Sequence, residues 1–95
     1  MSRVSVTAFA FDDVNAEKFA RHGLTDRQVR QVLDNENVIV PNRKRRRAPR
    51  LLIGRDHGGT CIAIPIEPTL EPSVWRPVTA WRCKDRERAR LDAVR

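Results

Sequence analysis

The spacing of apolar and polar positions changes period along the chain, and each change marks an element. Residues 4–11 alternate apolar side chains with small or polar ones as far as Phe9, the period of a strand with one buried face. Asp12 and Asp13 then offer a helix N-cap. Ala16, Phe19 and Ala20 recur at helical spacing and Gly23 supplies a left-handed stop, which predicts a short helix ending near His22. The run Thr25-Asp26-Arg27-Gln28 fits a capping box, with Leu24 and Val29 placed as a hydrophobic staple. Val29, Val32 and Leu33 form the inward stripe of this second helix, and Asp34 with Asn35 closes it.

Beyond the helices the runs become short and β-branched. Residues 38–40, 51–53 and 60–64 read as strands separated by turn chemistry. Residues 42–49 form one predicted hairpin loop, and Asp56-His57-Gly58-Gly59 forms a tighter one. A loop over residues 67–73, punctuated by Pro68 and Pro72, leads to a last strand over 74–82, in which Trp75, Pro77, Thr79 and Trp81 are expected on one face. Pro65 and Pro77 cannot donate to a ladder, so each demands a bulge or a sheet edge. Residues 84–94 have helical propensity, with Ala89, Leu91 and Val94 as apolar contacts. The predicted order is β-α-α-β-β-β-β-α.

Length limits what this pattern can build. Ninety-five residues support one domain, 1–95, with one modest core. The longest apolar run, Cys61 to Ile66, is far short of the ~20 residues that cross a bilayer, so no membrane partner is expected. The N-terminus has one Arg, no continuous apolar stretch and no small-residue cleavage site, so it does not read as a secretory signal. The expected compartment is the cytoplasm, and Cys61 and Cys83, few and far apart, are not expected to form a disulfide framework. The net charge is +7, and Arg supplies 16 of the 19 basic residues. Its planar fork grips phosphate, which favours a polyanion partner, although a GC-rich genome would load Arg onto any surface.

The residues also resemble a known family. Phe9-Ala10-Phe11-Asp12, Lys18, Arg21-His22-Gly23-Leu24-Thr25, Leu52-Ile53-Gly54-Arg55, Arg76-Pro77-Val78-Thr79-Ala80 and Glu87-Arg88 follow, in order and over nearly the whole chain, the pattern of BrnT-type toxins of bacterial toxin–antitoxin systems. The resemblance implies a small RelE/ParE-like α+β fold, with a mostly antiparallel sheet packed on two N-terminal helices. It also implies a ribonuclease neutralised by an antitoxin, with promoter DNA bound through the antitoxin complex. Phe11 stands where the family has Trp, Trp81 stands where it usually has Arg, and no Tyr follows Glu87-Arg88. Arg82 lies one residue late, which on a strand points it to the opposite face unless a bulge intervenes.

Metal-free RNA cleavage needs a base for the 2′-hydroxyl, cations for the in-line phosphorane and an acid for the leaving oxygen. Arg55, Arg76 and Arg82 are the candidate clamps. Proton transfer then falls to Glu87, His57, His22 or Lys18, because the Arg pKa exceeds ~12. Each has a structural alternative: strand-edge solvation for Arg55 and Arg76, a hairpin tip for His57, a favourable helix-end charge for His22, and an ion pair for Glu87 with Arg88. Arg43, Lys44, Arg45, Arg46 and Arg47, together with Lys18, form the candidate RNA-binding set, with a solvated loop as the alternative. Cys61, Cys83, His22 and His57 lack metal-ligand spacing, and Gly58-Gly59 precedes a strand rather than a helix, so neither metal nor cofactor is expected. Trp75 and Trp81 suit base stacking or packing under a helix.

Two functions follow. The first is a toxin-like, metal-independent endoribonuclease that cleaves mRNA and is silenced by an acidic cognate antitoxin. The second is a catalytically degenerate relative that binds nucleic acid or protein without cutting. Coverage of the family pattern with Arg55 and Glu87 favours the first, and Trp81 in place of Arg favours the second.

Overall fold

The computed structural model describes residues 4–42 and 48–94. Residues 43–47, the expected cationic loop, lie outside the described residues. In chain order the elements are β1 (Ala8–Phe9), α1 (Asp13–Arg21), α2 (Asp26–Gln31), a 3-10 turn (Val32–Asp34), β2 (Asn37–Pro41), β3 (Arg50–Arg55), β4 (Cys61–Pro68), β5 (Val74–Pro77), β6 (Trp81–Arg82) and α3 (Asp85–Asp92). The sheet is mixed, ordered β1-β5-β4-β3-β2 with β6 also beside β4. Among the described residues only the β1–β5 pairing is parallel. The architecture is a small α+β fold.

The helix starts form where local chemistry predicts them. Asp12 Oδ1 accepts the Asn15 N–H at 2.8 Å and Asn15 Oδ1 accepts the Asp12 N–H at 3.0 Å, a reciprocal cap that satisfies two otherwise orphaned donors. Thr25 and Gln28 repeat the arrangement at α2. Leu24 and Val29 are both buried in the core cluster of the α1/α2 face, as a staple requires. Gly23 ends the first helix with φ 71°.

Both faces of the sheet carry apolar side chains. Ile62, Ile64 and Ile66 of β4, with Leu52 of β3, pack against Phe19, Leu24, Val29 and Val32. On the opposite face Ile53, Cys61, Ala63 and Cys83 gather with Leu91 of α3. The expected apolar side of that last helix is narrower than its sequence pattern: Leu91 is buried, whereas Ala89 and Val94 are exposed.

Three expectations are corrected. The strand over 4–11 shrinks to Ala8–Phe9, because its parallel neighbour β5 begins only at Val74. Among the described residues one further ladder-like bond precedes it, from the Thr7 N–H to the Ser73 carbonyl. The strand over 74–82 is broken. Ile66 faces Pro77 and Ala63 faces Trp81, so Ile64 and Pro65 of β4 stand opposite three residues, Val78, Thr79 and Ala80. That extra residue is a bulge, placed directly after Pro77, and it reverses the alternation. Trp75 therefore packs on the α1/α2 face and Trp81 on the α3 face, rather than together.

The third correction concerns the cysteines. Cys61 and Cys83 form a disulfide, with Cα atoms 5.3 Å apart. They are the next pair along the β4–β6 ladder, and the Cys83 N–H donates to the Cys61 carbonyl. Antiparallel pairing brings opposite residues to this separation whatever their distance in sequence. The bond belongs to an oxidising environment, while a reducing cytosol would hold the pair as thiols.

Candidate nucleic-acid interface

Because α3 covers its sheet face with one buried leucine, the rest of that face stays open beside it among the described residues. Val40, Leu51, Ile53 and Trp81 form the floor of a groove of about 1150 Å³, and the first turns of α3 form its wall. Its rim carries Arg82, Lys84, Arg86 and Arg90, with His22 arriving from the end of α1. Lys84, Arg86 and Arg90 have no acidic partner among the described residues. Asn42, the last described residue before the 43–47 run, also lines the groove.

Glu87 sets the shape of this site. Its two carboxylate oxygens accept the Trp81 indole N–H at 3.0 and 3.1 Å, and one of them also accepts the Lys84 backbone N–H at 2.8 Å. The carboxylate thus closes the first turn of α3 and fixes the plane of the indole. Lys84 Nζ stands 6.0 Å from the centroid of that ring, within reach of a cation–π attraction, and the His22 ring is 6.5 Å away. Arg88, the expected partner of Glu87, pairs instead with Asp85 at 3.2 Å.

Arg82 is turned by the bulge toward the other face, where its Nη1 donates to the His22 carbonyl at 3.0 Å. A cation on a last-turn carbonyl favours the negative end of the α1 dipole. Gly23 leaves room for it, since a Cβ there would lie 3.3 Å from Arg82 Nη1.

The remaining candidates lie elsewhere. Arg76 donates through Nε to Asp12 Oδ2 at 2.8 Å, with Glu67 Oε1 3.7 Å from its Nη1. That hydrogen bond, with the Asn15 N–H, holds the Asp12 carboxyl below its ordinary range and raises the Arg76 pKa. Arg55 pairs with Asp92 at 3.3 Å, at the far end of α3 from Glu87. It shares a smaller recess of about 330 Å³ with His57, Asn35, Glu36 and Asp56. His57 Nε2 meets Asp34 Oδ2 at 3.0 Å and its backbone N–H donates to Gln31 Oε1, so the hairpin tip is tied to α2 and the turn after it. Lys18 sits on α1 and does not line the groove.

The five residues expected to cut RNA are therefore distributed over three places: Arg82 and Glu87 at the groove, Arg55 and His57 at the smaller recess, and Arg76 beside Asp12. No family model matches the chain, and no curated protein matches it. The groove's organisation rests on features a linear reading undervalued. His22 was visible as a helix-end residue, but its approach to Trp81 depends on how α1 packs. Lys84, Arg86 and Arg90 read as an ordinary charged helix until the open sheet face beside them is seen. Cys61 and Cys83 are joined to each other, so neither is a free thiolate for metal.

Proposed function

We propose that the chain is a BrnT-like toxin-fold protein that binds RNA through the groove between α3 and the open sheet face, as a binding module rather than as a nuclease. The observation that carries this reading is the use of Glu87: the one carboxylate of the expected catalytic set inside the groove is occupied in holding Trp81 and capping α3. A base must be free to approach the 2′-hydroxyl, and a clamp must reach the same phosphate. Arg55, Arg76 and His57 are engaged with Asp92, Asp12 and Asp34 instead. Lys84, Arg86 and Arg90, without acidic partners among the described residues, stand beside an aromatic floor and support phosphate and base contacts without chemistry. An acidic antitoxin that covers the same groove, and promoter DNA reached through that complex, extend the reading by family resemblance.

One observation favours cleavage as a second reading. His22 and Arg82 both line the groove, the guanidinium held on the His22 carbonyl, and a His with an Arg at one site can supply an acid–base group and a clamp. The test is induction of the chain alone, followed by mapping of transcript ends and recovery of bound RNA. Recovered RNA with intact ends is the expected result. New ends that disappear in His22→Gln would instead make the protein a nuclease.

A further inference from the structure

We infer that Trp81 is a stacking platform for an unpaired base, so that the groove selects single-stranded RNA over duplex. The inference deepens the RNA-binding reading and rests on it, and it adds a ligand geometry that charge alone does not require.

Three features converge on it. The indole is anchored at one edge, because both Glu87 oxygens hold its N–H, so a ring that lines the groove loses little freedom when a planar ligand meets it. The floor beside it, the half-buried Val40 and Leu51 above the fully buried Ile53, offers apolar surface suited to a base face rather than to a sugar or phosphate. Arg86 and Arg90 stand on the adjoining wall with no acidic partners among the described residues, placed to follow the backbone beside a stacked base, and Lys84 Nζ lies over the indole, 6.0 Å from its centroid, where a stacking base would displace it toward the phosphates. An aromatic face flanked by cations is the arrangement that binds single strands with little sequence preference. Duplex RNA keeps its base faces covered by neighbouring pairs and offers the indole nothing to stack on.

Trp75 is the only other tryptophan and packs on the opposite face of the sheet, so Trp75→Phe leaves Trp81 as the sole indole reporter without touching the groove. The full chain carrying that change is titrated with a single-stranded 12-nucleotide RNA, a blunt RNA duplex, inorganic polyphosphate and an acidic helical peptide. Saturable quenching of Trp81 emission by the single strand alone is expected, with duplex bound at least about tenfold more weakly. Polyphosphate should bind with strong salt dependence and no quenching. Trp81→Leu should weaken single-strand binding by roughly 5- to 150-fold, and Trp81→Phe by much less. Equal binding of single strand, duplex and polyphosphate, with no quenching, would overturn stacking while leaving the basic groove as an RNA site. Binding of none of the polyanions would overturn both. Quenching by the acidic peptide but not by RNA would give the groove to a protein partner and also overturn both. The quenching measurement needs no substitution in the groove, so it decides the matter even if the Trp81 variants fold poorly.

Discussion

Gly54 shows how tightly single residues are specified here. It lies on β3 beneath the 3-10 turn, where an added Cβ would sit 2.6 Å from Val32 Cγ1 and 2.9 Å from Asn37 Cβ. Neither neighbour is the loose end of a long side chain, so something must shift. Gly54→Ala is expected to destabilise the fold by about 1–3 kcal/mol, the usual cost of overpacking, measurable as a lowered urea midpoint with an unchanged slope. Asp12 and Asp34 set the acid limit of stability. Arg76 and the Asn15 N–H hold the first carboxyl below its ordinary value of 3.8, and His57 followed by Arg30 does so for the second. Their native pKa values are depressed, so their stabilisation is present above about pH 4 and is lost as pH falls through the native values. Asp12→Asn keeps a capping side chain but removes the titration. It should be less stable than the parent at pH 7 and should lose less stability between pH 4 and 2, as urea midpoints across that range will show. The caps themselves were legible in the sequence because each involves residues three apart. Burial of Asn15 and the crowding around Gly54 were not, because both depend on which element packs above them.

Elements joined across long sequence distances are where the linear reading failed. The capped helices and the strands over 38–40, 51–53 and 60–64 follow local pattern. The strand over 74–82 looked continuous because its alternation is unbroken in sequence, yet β4 pairs with it in two registers separated by the bulge after Pro77. Pro77 was the visible signal; the direction of the bulge was not. The same geometry sets Cys83 opposite Cys61 and bolts the start of α3 to β4. Closing a loop across a sequence separation of 22 residues stabilises by about 3 kcal/mol in the chain-entropy account. Reduction with a dithiol, or Cys61→Ala with Cys83→Ala, should therefore lower unfolding free energy by about that amount. Hydrogen exchange should rise first in α3 and β6. Equal stability of the oxidised and reduced protein would show that the bond constrains nothing the fold does not already hold.

At the scale of the whole molecule, charge was the most legible property and its placement the least. A net +7 points to a polyanion, but the sequence distributed the candidate clamps without regard to where the folded chain leaves a surface uncovered. Among the described residues the sheet face is open because α3 buries only Leu91 against it, a consequence of packing that no spacing of residues announces. There Lys84, Arg86 and Arg90, without acidic partners among the described residues, meet the fixed indole and His22, while Arg55 and Arg76 pair with carboxylates elsewhere and His57 is hydrogen-bonded to Asp34. RNA affinity is thus proposed for this one surface. The most direct test is the affinity for a single-stranded RNA as a function of salt, for the parent chain and for a variant carrying Lys84→Gln, Arg86→Gln and Arg90→Gln. The parent should show log K falling linearly with log salt concentration, and the variant should bind more weakly with a slope flatter by about two units, roughly 0.7 for each phosphate contact removed. A variant with the parent's slope and affinity, or a parent that does not bind RNA at low salt, would contradict it.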